Sequence, residues 1–184
     1  MRITGGNLRG KKLSPFRGLS IRPTTDYLRE SIFNILVREI EGSTVLDLYA
    51  GTGSLGIEAL SRGAEKAVFV DKAVQAIKAI SQNLKICALE ERSRILRRDI
   101  LRGLGCLKPM IQAFDLVFMD PPYDKGLCEF TLKLLDRAPT IAEGAFIVVE
   151  HSSREILPVE IAGLVLCDRR QYGKTLVSFY RPVL

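Results

Sequence analysis

From Thr44 onward, apolar runs of strand length alternate with segments whose apolar residues recur at helical spacing. This alternation decides the fold class. Strands are expected over 44–49, 66–70, 94–97, 114–119 and 145–150. Helices are expected over 54–62, 74–87, 100–107 and 127–137. Strands joined through helices lie parallel, and the helices cover both faces of the sheet. Two final runs, 164–169 and 175–180, flank Arg170-Gln171-Tyr172-Gly173-Lys174. That pattern is a hairpin, so one strand must run antiparallel. Ahead of the alternation, Leu28, Ile32, Ile35, Leu36 and Ile40 share one face of a helix expected over 26–40. Thr24 or Thr25 is its N-cap and Gly42-Ser43 its end.

At 184 residues the chain is long enough for one domain with a full core. No apolar run reaches bilayer length, and the N-terminus has no apolar signal region. A cytoplasmic protein with no membrane partner is therefore expected. Cys87, Cys106, Cys128 and Cys167 are widely spaced, with no C-x-x-C pair. Reduced thiols fit that spacing, and no metal site is expected. His151 is the only histidine and follows Glu150 at a strand end, where a structural polar role suits it better than catalysis.

The net charge of +6 is confined to one end. Residues 1–29 hold Arg2, Arg9, Lys11, Lys12, Arg17, Arg22 and Arg29 against Asp26 alone, while the other 20 basic and 20 acidic residues balance. Ile3, Leu8, Leu13, Phe16 and Ile21 interleave with these charges, and Gly5-Gly6 and Gly10 can supply turns. Either a solvated tail or a small ordered basic lobe satisfies the pattern. Pro15, Gly18 and Pro23 place a boundary near residue 22, dividing the chain into a basic arm, 1–22, and a catalytic domain, 23–184. Such a patch attracts a polyphosphate backbone in a salt-dependent way.

Four constellations carry chemistry. The first is Asp47-Leu48-Tyr49-Ala50-Gly51-Thr52-Gly53-Ser54-Leu55-Gly56, which leaves the first sheet strand and opens a helix. Its glycine spacing also fits the dinucleotide fingerprint. Asp47 argues against a pyrophosphate, which a buried carboxylate would repel, and for a cofactor with a cationic amino acid part. S-adenosylmethionine is such a cofactor. The second is Asp71, followed by Lys72, at the end of the next strand. A carboxylate there accepts both ribose hydroxyls of a nucleoside, although a helix cap would use the same residue. The third is Asp99 with Ile100, placed to take an adenine amino group and to lie against its ring. Capping is the competing role. The three acids close successive strands on the edge where open α/β sheets bind ligands.

The fourth is Asp120-Pro121-Pro122-Tyr123, directly after the apolar run 114–119. An exocyclic amine is a poor nucleophile because its lone pair is delocalised into the ring. The Asp120 carboxylate and the Pro121 carbonyl can accept both its N–H bonds, turning the lone pair out and offsetting the charge that develops on nitrogen. Tyr123 offers a face for the base, which must be flipped out if it lies in a duplex. A rigid turn alone explains the prolines but not the flanking carboxylate and aromatic. Gly173-Lys174-Thr175 echoes a P-loop ending, but the required earlier glycine is Asp168.

At these residues the sequence resembles class I S-adenosylmethionine-dependent methyltransferases. More narrowly, it resembles the RsmD family, which methylates N2 of one guanine in bacterial small-subunit (16S) ribosomal RNA. The resemblance covers essentially the whole chain. It is carried by Arg2-Ile3-Thr4-Gly5-Gly6, Arg9-Gly10-Lys11-Lys12-Leu13, Arg22-Pro23-Thr24-Thr25-Asp26, Arg29-Glu30, Phe33-Asn34, Asp47 through Gly56, Glu58-Ala59-Leu60-Ser61-Arg62 and Asp120-Pro121-Pro122-Tyr123. It implies a Rossmann-like α/β fold: a seven-stranded, mostly parallel sheet, helices on both faces, the last strand antiparallel, and a small basic N-terminal extension.

The resemblance also implies Asp120, Pro121 and Tyr123 as catalytic. Asp47, Tyr49, Gly51, Gly53, Ser54, Asp71, Lys72, Asp99 and Ile100 would bind the cofactor. Arg2, Arg9, Lys11, Lys12, Arg22 and Arg29 would contact RNA within an assembling small subunit. The alternatives are an N6-adenine DNA methyltransferase with the same chemistry, a protein glutamine methyltransferase, a nucleic-acid-binding module without activity, and an NAD-linked oxidoreductase.

Overall fold

The computed structural model describes residues 1–15, 25–107, 113–136, 138 and 140–183. The elements are α1 (Asp26–Ile35), β1 (Thr44–Leu48), α2 (Ser54–Ser61), β2 (Lys66–Asp71), α3 (Val74–Cys87), β3 (Ser93–Arg97), β4 (Phe114–Met119), α4 (Leu127–Asp136), β5 (Ile141–Ser152), β6 (Glu160–Ile161), β7 (Leu164–Tyr172) and β8 (Thr175–Pro182). They build one sheet in the order β3-β2-β1-β4-β5-β8-β7-β6. β1 to β5 are parallel, and β8 runs antiparallel to both of its neighbours, β5 and β7. The expected Rossmann-like class holds, with one correction. The sheet has eight strands, because Glu160–Ile161 adds an edge to β7. Two residues carry no period to read.

Alternate residues of the central strands enter two apolar clusters, which is why the strand sequences are continuously apolar. Val45, Phe69, Leu116, Phe118 and Val148 pack with α1, α2 and α3. Leu46, Leu48, Val70, Val117, Met119 and Val149 pack with α4 and two 3-10 turns on the opposite face. Those turns, Ile100–Arg102 and Gly105–Leu107, replace the helix expected over 100–107. α1 is also shorter than expected. It ends at Ile35, and Leu36 and Ile40 reach the same core through a turn.

Residues 1–15 fold against the body. Ile3 N–H donates to Lys11 O (3.0 Å), Gly10 N–H to Ile3 O (2.8 Å), and Arg2 bridges Lys12 antiparallel. Ile3 and Leu13 are buried in the first cluster. Gly6 lies so close to α2 that a Cβ would stand 1.8 Å from Ser61 O, so no side chain fits there.

The anchor of this segment is Glu58 on α2, fully buried with Arg29. Its carboxylate accepts from Arg29 Nε (3.1 Å), Arg62 Nε (2.8 Å), Thr4 N–H (2.9 Å) and Gly5 N–H (2.7 Å). Arg29 also donates to Asp26 Oδ1 and to the Arg2 carbonyl. Arg29 was expected to face RNA. It is instead withdrawn from the surface as the cation of this network, because a buried carboxylate requires a buried partner.

Candidate active site

Chain order reverses between β1 and β4, which lie side by side with Asp47 opposite Phe118 and Leu48 opposite Met119. Open α/β sheets bind ligands at such a switch point, outside the carboxyl ends of the strands. Asp47 stands on one side of this crevice, and Asp120 follows β4 on the other.

Asp47 is buried, and its Oδ2 accepts from Gly56 N–H at 2.9 Å. Gly56 packs so closely that a Cβ would meet Phe69 at 2.4 Å. The amide at the first turn of α2, which would serve a pyrophosphate, is therefore taken by a carboxylate. Burial pushes the Asp47 carboxyl up to about 8, with the Gly56 hydrogen bond opposing and Asp71 adding to the rise. Asp71 Oδ2 accepts from Gly51 N–H (3.0 Å) and Oδ1 from Ala73 N–H (2.9 Å), so it ties the glycine-rich turn to the start of α3. Its oxygens keep lone pairs for further donors.

Asp99 accepts from Leu101 N–H at 3.2 Å, and its Oδ2 is 3.7 Å from Nζ of the exposed Lys72. Asp99 thus caps the 3-10 turn that begins at Ile100. Ile100 is buried in the second cluster. Tyr49 takes a left-handed conformation, φ 57°, and its hydroxyl pairs with Thr131 Oγ1 of α4 at 2.8 Å. Gly53 caps α2 and Ser54 begins it. These donors and acceptors suit a cationic ligand: three carboxylates line the edge, and Lys72 is the one cation paired to them in the described residues.

Across the crevice, burial raises the Asp120 carboxyl well above the usual carboxylate range, and the charges of Glu150 and Asp47 raise it further. Pro121 is buried and Pro122 exposed. The Tyr123 hydroxyl donates to Glu150 Oε1 at 2.9 Å and lies 3.4 Å from Thr175 Oγ1. Burial and the Glu150 charge both push the phenol upward, so it remains a donor. Tyr123 was expected to offer a face for the base. It is half-buried, and its polar end is pinned from β5 and β8. Glu150 was not picked out from sequence as a site residue, although it carries the same mark as Asp47, a carboxylate closing a buried strand.

His151 is buried, with Nε2 2.9 Å from Ser178 Oγ and Nδ1 3.0 Å from Glu155 O. It joins β5 to β8 and takes no part in the crevice. Arg2, Arg9 and Lys12 are exposed and Lys11 is half-buried, whereas Arg22 lies outside the described residues. Asn83 connects the basic segment to the site. It accepts from Ser14 N–H (2.8 Å) and donates to Thr52 O (3.0 Å) in the glycine-rich turn.

The family described as conserved hypothetical protein 95 matches residues 1–181. The putative rRNA methyltransferase YlbH of Bacillus subtilis is 39% identical over 181 residues, 98% of each chain. Ribosomal RNA small subunit methyltransferase D of Escherichia coli K12 is 34% identical over 184 residues, covering 98% of this chain and 89% of that one. The solved structure of the putative methyltransferase yhhF of Escherichia coli superposes with a TM-score of 0.84 at 31% identity. It covers 100% of this chain and 98% of that one.

Proposed function

The chain belongs to the conserved hypothetical protein 95 family, and on that premise we propose that it is an S-adenosylmethionine-dependent methyltransferase of small-subunit ribosomal RNA acting on a guanine N2 amine. The observation that carries the reading is the pair Asp120 and Pro121, set across the switch point from Asp47, with Tyr123 locked beside them by Glu150. The relatives named for ribosomal RNA methylation support the substrate class.

Asp47 fits the ammonium of the cofactor's amino acid part, and Asp71 its ribose hydroxyls. Asp99 and Tyr49 border the base, and the turn from Gly51 to Ser54 lets the backbone approach. When bound, S-adenosylmethionine supplies a sulfonium methyl and departs as the neutral thioether. Asp120 and the Pro121 carbonyl accept the two N–H bonds of the amine and turn its lone pair toward the methyl carbon. As the N–C bond forms, the nitrogen becomes cationic and its proton becomes acidic. The Asp120 carboxylate stabilises that charge and takes the proton. A cation bound beside Asp120 favours its ionised form, which counters the burial that favours the acid. Tyr123 fixes the plane of the base.

The basic segment within 1–22, through Arg2, Arg9, Lys11 and Lys12, is the RNA contact in this reading, and 23–184 is the catalytic domain. The substrate is an assembling small subunit in the cytoplasm. Incubation with methyl-labelled cofactor and small subunits lacking the mark should yield labelled N2-methylguanosine. Label found only in N6-methyladenine of DNA would instead establish the adenine enzyme.

A further inference from the structure

Strand alternation places Glu150 and Thr175 on the same sheet face as Val148 and Val177, whose cluster is covered by α1. Two contacts, through Tyr172 and Thr175, link the first turn of α1 to Tyr123. Tyr27, its second residue, is 70% exposed. Its ring stands edge-on to Tyr172, with centroids 6.2 Å apart and planes at 75°. Tyr172 pairs with Thr175 across the β7–β8 hairpin, and Thr175 Oγ1 is 3.4 Å from the Tyr123 hydroxyl. On its other side, α1 meets the basic segment, where Arg2 N–H donates to Asp26 Oδ1. Contacts therefore link the first turn of α1 to the basic segment through Asp26 and to Tyr123 through Tyr172 and Thr175.

The fold itself makes little use of the Tyr27 ring, which packs by one edge against Tyr172 and leaves most of its surface to solvent. The charges around it choose its partner. Arg2 and Lys12 on one side and Lys174 on the other are exposed and attract phosphates, not an apolar protein surface. A strand drawn across them presents unpaired bases, and extrusion of the target base leaves its neighbour without a stacking partner.

We infer that Tyr27, buttressed edge-on by Tyr172, is the stacking platform for an unpaired nucleobase next to the methylated one. This rests on the RNA methyltransferase reading. Tyr27 holds the strand and does not touch the reacting amine, so it acts on substrate affinity.

The test compares wild type with Tyr27→Ala and Tyr27→Phe, exposed changes that leave the core intact. Affinity for a short labelled oligoadenylate is measured by fluorescence anisotropy across a salt series. Tyr27→Ala should bind about tenfold more weakly, and Tyr27→Phe should bind as wild type does. The plots of log affinity against log salt should stay parallel, because stacking releases no counterions. With small subunits, Tyr27→Ala should raise KM about tenfold at unchanged kcat and cofactor affinity. Unaltered oligoadenylate affinity in Tyr27→Ala, no binding by wild type, or a changed salt slope overturns the platform. Failure of wild type to methylate subunits overturns the proposed activity, whereas the oligoadenylate comparison judges Tyr27 without turnover.

Discussion

The Tyr123 hydroxyl donates to Glu150 Oε1 at 2.9 Å, which ties the aromatic of the D-P-P-Y segment to the end of β5. The Glu150 charge also raises Asp120. One buried carboxylate thus acts on both groups that would hold the base.

Two substitutions of Glu150 separate these effects. Glu150→Ala removes the acceptor and frees the ring, and kcat should fall about tenfold, the loss of one good hydrogen bond. Cofactor affinity, measured by calorimetry, should be unchanged. Glu150→Gln keeps an acceptor and removes the charge. Its rate should stay within a few-fold of wild type, and the acidic limb of its pH–rate profile should move to lower pH, because the neutral amide no longer raises Asp120. A Glu150→Ala rate equal to wild type would take Glu150 out of the site.

Asp120 itself carries the developing charge. Asp120→Ala should lower kcat by about 100- to 1000-fold, the usual cost of removing one preorganised group that stabilises transition-state charge. Cofactor binding should survive, since the partners assigned to it lie across the crevice. A near-wild-type rate in a single-turnover assay would refute the role.

Asp47 predicts a pH dependence of cofactor binding. Its carboxyl is raised to about 8, so in the free protein it carries a proton below that pH. A cationic amino acid part prefers the carboxylate, so binding must expel the proton. Affinity should therefore rise with pH toward 8, by up to about tenfold per unit for one proton. Calorimetry in buffers of different ionisation enthalpy should detect the released proton below pH 8. Asp47→Asn should bind weakly and without this slope.

The elements legible in the sequence were those with strong periods and clear ends. α3 and β4 begin and end at the expected residues. Leu36 and Ile40 kept helical spacing beyond the end of α1, because spacing records burial and a turn can bury them as well as a helix. β5 starts earlier than expected, at Ile141, since Glu143 and Gly144 interrupt its apolar pattern. Asp47, Asp71 and Asp120 stood out because a carboxylate closing an apolar run demands a reason. The fate of Arg29 was not legible, because charge counts do not reveal that Glu58 awaits it in the fold.

Charge reversal on the basic segment tests whether it meets RNA. Arg9 and Lys12 are exposed, so Arg9→Glu with Lys12→Glu should leave thermal stability within about 0.5 kcal/mol. Binding to small-subunit RNA should weaken, and the slope of log affinity against log salt should shrink by about 0.7–0.9 for each phosphate that the variant no longer neutralises. An unaltered slope in filter binding would remove the segment from the interface.

Glu58 anchors that segment to α2. The buried Glu58 carboxylate receives Arg29, Arg62, Thr4 and Gly5. Glu58→Ala leaves the Arg29 guanidinium buried with one carboxylate fewer, and such a break costs about 3–5 kcal/mol. Urea unfolding should show that loss. Arg29→Met removes the opposite charge and leaves Glu58 with Arg62, which is partly exposed and can draw water, so its cost should be smaller. Because the segment is held to α2 through Glu58, hydrogen exchange in Glu58→Ala should rise first at Ile3 and Leu13, ahead of the sheet. Uniform exchange across segment and sheet would mean that the segment and the sheet unfold as one unit.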